Sequence, residues 1–128
     1  LDLAEPLYRR ALAITRKTLG AEHPDVATSL DHLGMLYTAQ GKYDLAESHH
    51  RQAIEIRRVK LGTVHALVAQ SLEHYGLLLT AMGRVSEAQR ARTLAASIRT
   101  RAAEVNRVKL EDTRPGRKPA IQKIVTRG

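Results

Sequence analysis

A stretch of sequence that recurs along the chain constrains the fold more than any other feature. The first copy runs from Leu19 to Leu61, and the second begins at Leu61, 42 residues later. Shifting the chain by that spacing aligns many identical residues, for example Gly34 with Gly76. Self-similarity at a fixed period of roughly 20–50 residues is the signature of stacked-repeat proteins. The sequence therefore predicts repeated units, each of which packs against its neighbours.

The composition favours helices over sheets. The 128-residue chain has no Phe, Trp or Cys and only four Tyr, so Leu, Ala, Ile, Val and Tyr must form the core. Without cysteine the chain has no disulfide and no thiolate metal ligand, which agrees with a reducing, cytoplasmic location. We find no run of about eighteen apolar residues and no leader-like start, so we expect no membrane segment.

Short signals mark where helices begin and end. His23 precedes Pro24 and Asp25, which puts proline at the first helical position and an acid beside the positive helix end. Gly20 and Gly62 are expected to end helices, because glycine adopts the required backbone conformation at low cost. Each copy is therefore predicted to contain two helices.

Two further helix starts are predicted inside the copies. Asp44 is followed three residues later by Glu47, and Ser86 is followed by Gln89 at the same interval. This is the spacing of a capping box, in which two side chains bond the free N–H groups of a helix start.

Apolar and small residues recur at helical spacing and predict the core. Gly34 and Gly76 belong to this set, and we interpret them as sites of close helix packing. The predicted positions are Leu3, Leu7, Ala11, Ile14 and Leu19; Val26, Leu30, Leu33, Gly34 and Tyr37; Ala46, Ala53 and Ile56; Val68, Leu72, Gly76 and Leu79; and Ala88, Ala95 and Ile98.

The predicted layout is all-α. Because Glu104 stands where the earlier copies have glycine, the last helix is expected to continue through Val105 towards Leu110. The chain starts at Leu1 with a helix that has no preceding partner, so we expect it to be the C-terminal part of a larger protein. The expected parts are a lone helix over 1–19, repeats over 20–61 and 62–103 within a repeat segment 1–104, and a helix extension with a flexible basic tail over 105–128.

Several motifs lie in the first copy: Leu33-Gly34, Tyr37, Gly41, Ala46 and Ala53, with Leu19-Gly20, His23-Pro24-Asp25-Val26-Ala27 and Gln40-Gly41-Lys42-Tyr43. In these motifs the repeat resembles the tetratricopeptide repeat, in its kinesin light chain-like form with a longer period. The resemblance covers residues 1 to about 102 and implies a right-handed superhelical solenoid of antiparallel helix pairs. It also implies that the first helix of each pair lines a concave groove that holds an extended peptide or a partner helix. His32 and His74 depart from the family, which usually has asparagine there.

One face of the first helix in each repeat lies opposite the predicted core. It is acidic at Asp31 and Glu73, apolar at Met35 and Leu77, and free of lysine and arginine. We expect it to favour a ligand with a basic side chain beside an apolar anchor, although a merely solvated helix face is the alternative. The predicted groove residues are Thr28, Asp31, His32, Met35, Gln70, Glu73, His74 and Leu77.

We find no motif for catalysis or for a cofactor. The sequence has no nucleophile elbow and no phosphate-binding glycine loop, and its glycines stand singly at predicted turns and contacts. His32 and His74 with Asp31 and Glu73 could in principle converge on a metal ion. Since no histidine pair has the i, i+4 spacing, hydrogen-bonded or solvated histidines are the favoured interpretation. We therefore predict neither an enzyme nor a metal site.

Basic charge is concentrated towards the end of the chain. Residues 105–128 hold seven of the 21 lysines and arginines but two of the 13 acidic residues. Without stacking aromatics, the run from Arg114 to Pro119 predicts at most salt-dependent phosphate contact, and a solubilising terminus is the simpler interpretation. The main hypothesis is a protein-binding scaffold. The alternatives are a regulatory module whose tail contacts nucleic acid, and self-association through exposed repeat ends.

Overall fold

The computed structural model describes residues 3–112 as five helices that stack in antiparallel pairs. Helix α2 packs on α3 and α4 packs on α5, while α3 and α2 both contact α4, and α1 packs on α2. This confirms the predicted all-α solenoid of helix pairs. The helices are α1 (Ala4–Leu19), α2 (Pro24–Ala39), α3 (Tyr43–Leu61), α4 (Ala66–Ala81) and α5 (Val85–Asp112).

Histidine side chains cap the starts of α2 and α4. Nδ1 of His23 accepts a hydrogen bond from the backbone N–H of Asp25 at 3.1 Å, and Nδ1 of His65 accepts one from Leu67 at 3.0 Å. Each bond satisfies a donor that has no partner inside the helix. Pro24 is the first residue of α2, so the predicted start signal is confirmed.

Glycine ends α1 and α3, as predicted. Gly20 and Gly62 have φ angles of 96° and 92°, a conformation that strains any residue with a Cβ atom. The helix that has Glu104 in place of this glycine continues, and α5 extends to Asp112. The basic run from Arg114 to Pro119 lies outside the described residues.

The two predicted capping boxes are wrong. Helix α3 begins at Tyr43 and α5 begins at Val85, so Asp44 and Ser86 lie inside the first turn rather than at the cap. In the turn before each of these two helices, the residue after the glycine donates its backbone N–H to a carbonyl oxygen of the preceding helix at 2.8 Å. That bond closes the turn and fixes the helix start directly after it.

The core forms where helical spacing predicts it in α2 to α5. The core side chains of α2 are almost fully buried and cluster with Ala46 and Ala53 of α3. Ala95 of α5 packs with Val68 and Leu72 of α4. Ile56 is partly buried. For the first helix the predicted core is wrong. The buried residue of α1 is Leu12, whereas the predicted positions are exposed: Leu3, Leu7, Ala11, Ile14 and Leu19. The reason is that α1 has α2 as its neighbour among the described helices and meets it with the side that carries Leu12.

Candidate functional site

Helices α2 and α4 have a solvent-exposed face with two apolar side chains, Met35 and Leu77, at equivalent positions. We call it the outer face. Met35 is 45% exposed and Leu77 is 57% exposed, and one repeat spacing separates them. Since α2 and α4 pack against each other, both side chains belong to one surface. Thr28 is exposed on the same side, and Gln70 is partly buried.

Helix α1 contributes an aromatic ring that the sequence did not predict for this face. The rings of Tyr8 and His32 lie with their centroids 5.4 Å apart at an angle of 46°. Both residues are exposed. The outer face therefore extends from α1 across α2 to α4, and His32 is its central polar residue.

Asp31 does not belong to this face, and its predicted place in an open groove is wrong. Its side chain is buried, and Oδ1 accepts a hydrogen bond from His50 Nδ1 at 2.7 Å. Oδ2 accepts bonds from His74 Nδ1 at 2.9 Å, Ser71 Oγ at 3.1 Å and Arg57 Nη1 at 3.3 Å. Asp31 is turned inward because α3 and α4 supply four donors to it.

The electrostatics of this buried cluster favour the ionised carboxylate. Burial by itself would raise the pKa of Asp31, but the hydrogen bonds and charges of His50 and His74 outweigh it and hold the pKa well below its usual range. Arg57 is also buried; desolvation lowers the pKa of its guanidinium, and the negative charge of Asp31 opposes that effect. The cluster thus has a buried ion pair with additional hydrogen-bond donors, which is the arrangement that a buried charge requires.

Glu73 repeats this pairing one spacing later, at the surface. Its two carboxylate oxygens accept hydrogen bonds from Arg99 Nε and Nη2, both at 2.7 Å, which lowers the pKa of Glu73. Asp31 with Arg57 and Glu73 with Arg99 have the same separation of 26 residues. Both acids of the predicted groove are thus paired within the chain. The expected attraction for a basic ligand therefore loses its physical basis.

Gly34 provides the space for His50. A Cβ atom at Gly34 would lie 2.7 Å from both Cε1 and Nε2 of the His50 ring. Nε2 of His50 is buried and has no hydrogen-bond partner among the described residues. The interpretation of Gly34 as a packing residue is confirmed, because His50 reaches Asp31 only through the space that glycine leaves.

The residues considered for a metal ion take part in separate contacts. His32 stacks on Tyr8, His74 bonds Asp31, and Glu73 pairs with Arg99. Within residues 3–112 no group of three or more histidine, aspartate or glutamate side chains is arranged to hold a metal ion.

Stacked antiparallel helix pairs with an exposed outer face define the chain as a helical-repeat protein. The family model of the tetratricopeptide repeat matches residues 1–59 and 32–101, and the chain belongs to this family. Repeats of this family generally mediate protein–protein interaction. A comparison with curated proteins gives no match. Among the described helices, none combines the length and apolar content needed to cross a membrane.

The lowered pKa of Asp31 predicts how the cluster responds to acid. The ionised side chain stabilises the fold fully above the ordinary carboxyl pKa of about 3.9, and this contribution declines as the pH falls below that value. We expect the difference in unfolding free energy between the wild type and Asp31→Asn to shrink by about 1 kcal/mol from about pH 5 to about pH 3. Urea unfolding at both pH values measures it. If the difference in unfolding free energy is equal or larger at about pH 3, the ionised carboxylate of Asp31 does not stabilise the fold as inferred.

Proposed function

We propose that the chain is a non-enzymatic interaction scaffold that holds a peptide or helix of another protein against the outer face of α2 and α4. The observation that carries this proposal is the exposed pair Met35 and Leu77. Two large apolar side chains at equivalent positions of neighbouring repeats form a surface that an apolar anchor of a partner can cover.

The proposed partner has apolar rather than basic anchor residues. Asp31 is buried and Glu73 is paired with Arg99, so neither offers a free carboxylate to a cation. His32 is exposed beside Tyr8, and its ring nitrogens can exchange hydrogen bonds with a partner backbone. His74 is held by Asp31 through Nδ1 and borders the same face. Specificity would then come from the polar histidine positions beside two apolar contacts.

We also propose that the repeat has the kinesin light chain-like form. Two features support this part of the proposal: the spacing of 42 residues between Leu19 and Leu61, and the histidine caps of α2 and α4. A scaffold of this kind would act in the cytoplasm.

Peptide selection tests the outer face. A displayed library of random peptides is selected against the wild-type chain, and the affinity of the enriched peptides is measured by calorimetry. We expect enrichment of apolar anchors, and a loss of at least about tenfold in affinity for Met35→Asp/Leu77→Asp, because both anchor contacts are removed.

The matched control places the same charges on other exposed apolar positions. Val59 and Leu94 are 59% and 51% exposed and lie on α3 and α5. The variant Val59→Asp/Leu94→Asp is expected to bind within about twofold of the wild type. Equal losses in the two double variants, or selected peptides without apolar anchors, would exclude the outer face as the binding site.

A further inference from the structure

A cleft opens between α1 and α3, away from the outer face. It encloses about 390 Å³, and Leu12 and Leu33 contribute apolar surface to it. Leu33 and Met35 are two residues apart, which places them about 200° apart around α2. Helices α1 and α3 make no close backbone contact with each other within the described chain. The cleft is therefore a concave surface that is distinct from the outer face with Met35.

Positive charge dominates the rim of this cleft. Arg9, Arg16 and Lys42 line it, and the acidic residue among its lining is Glu5. The Glu5 carboxylate lies 3.4 Å from Arg9 Nη1 and 3.8 Å from Lys42 Nζ, so one acid is shared by two cations. Arg16 makes one long hydrogen bond, 3.5 Å, to the side chain of Gln52. The rim thus has three cations and one acid.

The side chain of His49 experiences this positive potential. Its Nδ1–H donates to the carbonyl oxygen of Leu45 at 2.8 Å, and its ring packs edge-on against Tyr37. Burial lowers the pKa of His49, and the hydrogen bond to Leu45 opposes that shift. The charges of Arg16, His50 and Arg9 lower the pKa further. An anion in the cleft would act in the opposite direction.

One repeat spacing later, the equivalent cations are neutralised within the chain. Arg84, which corresponds to Lys42, pairs with Glu87 and lies 2.9 Å from Glu47. Arg58, which corresponds to Arg16, pairs with Glu55 at 2.9 Å. At these equivalent positions each of the two cations therefore has an internal carboxylate partner.

The cleft lacks two of those carboxylates. Leu45 stands at the position of Glu87, and Ala13 stands at the position of Glu55. Both Leu45 and Ala13 line the cleft. The same arrangement of cations is thus retained with an apolar lining in place of the acids, which leaves the cleft open to an anion from outside the chain.

We propose that this cleft binds an acidic side chain of a protein partner, whose carboxylate pairs with the arginines of the rim. Guanidinium groups bind carboxylates through two parallel hydrogen bonds, and the apolar lining fits the aliphatic stem of a glutamate. A nucleic acid strand instead needs an extended basic track with stacking aromatics, whereas this site is a single cleft. The site is additional to the outer face and would engage a different segment of a partner.

Nuclear magnetic resonance with a blocked hexaglutamate peptide tests the proposal. We expect saturable shifts of the amides that line the cleft, and a His49 ring that titrates at higher pH in the complex. A hexaglutamine peptide should give neither. The variant Ala13→Glu/Leu45→Glu supplies the missing carboxylates at two exposed positions, so the hexaglutamate peptide should bind about tenfold more weakly.

The control variant Leu94→Glu/Ala96→Glu makes the same substitutions at exposed positions of α5 and is expected to change binding by less than about twofold. Equal weakening by both double variants would overturn the proposal, because it would indicate attraction to net charge alone. Tighter binding of a thymidine decanucleotide, or an equal response to inorganic phosphate, would also overturn it. If Ala13→Glu/Leu45→Glu fails to fold by circular dichroism, Arg9→Gln/Arg16→Gln serves instead and should abolish the shifts.

Discussion

Replacing Asp31 with alanine is expected to destabilise the chain by about 3–5 kcal/mol. The substitution leaves Arg57, which is 3% exposed, as a buried cation without its counter-ion. It also removes the two carboxylate oxygens that accept hydrogen bonds from His50 and Ser71. Urea unfolding followed by circular dichroism measures the loss. Asp31→Asn should lose less stability, since the asparagine side chain has a similar shape and retains one oxygen acceptor.

Glu73→Ala is the matched control for this prediction. Glu73 occupies the equivalent position one spacing later and pairs with Arg99, but both side chains are more than two-fifths exposed. Solvent replaces the lost contact there, so the expected cost is below about 1 kcal/mol. If Asp31→Ala and Glu73→Ala destabilise the chain equally, the burial of the Asp31 cluster does not contribute to stability as we infer.

Gly34→Ala is expected to destabilise the chain by about 2–3 kcal/mol, although alanine is the better helix former. The new methyl group would lie 2.7 Å from the ring of His50, which is fully buried. The ring can retreat only by giving up its 2.7 Å bond to Asp31. Thermal unfolding measures the effect. In a His50→Ala background the same substitution should cost much less, because the obstructing ring is gone.

Gly76→Ala is not expected to destabilise the chain in this way. At this equivalent position the nearest atom to the new methyl group is Cγ of Arg92 at 3.2 Å, in a flexible side chain of α5. Alanine is favoured over glycine in a helix by about 1 kcal/mol, so the variant is expected to be neutral or slightly stabilised. A loss of stability as large as that of Gly34→Ala would contradict the role assigned to His50.

Local signals in the sequence predict most of the fold. Pro24 after His23, and the glycines at positions 20 and 62, determine helix starts and ends through backbone geometry that involves neighbouring residues only. The capping boxes failed for a related reason. The turn after Gly41 closes through backbone hydrogen bonds, and the helix starts before Asp44 can act as a cap.

The candidate site was predicted less completely, because helical spacing does not say which of two adjacent residues faces inward. Asp31 and His32 are adjacent on α2, yet Asp31 is buried by donors from α3 and α4 while His32 is exposed. The recurrence of an acid and an arginine at one separation, in Asp31 with Arg57 and Glu73 with Arg99, was a signal for this pairing.

The cleft between α1 and α3 could also be predicted only in part from the sequence. The exchange of Glu55 and Glu87 for Ala13 and Leu45 is visible when the chain is aligned with itself at the spacing of 42 residues. That these positions surround one cavity follows only from the packing of three helices.

The Asp31 cluster also determines whether the two repeats can be shuffled. In α2 the carboxylate of Asp31 depends on donors from its own repeat, on α3, and on Ser71 and His74 of the following repeat. Glu73 bonds Arg99 of its own repeat. The units share a sequence pattern, yet they are not interchangeable modules. Reversing their order, or duplicating the first unit alone, would separate a buried charge from two of its donors, so the order of the repeats is encoded in these side chains.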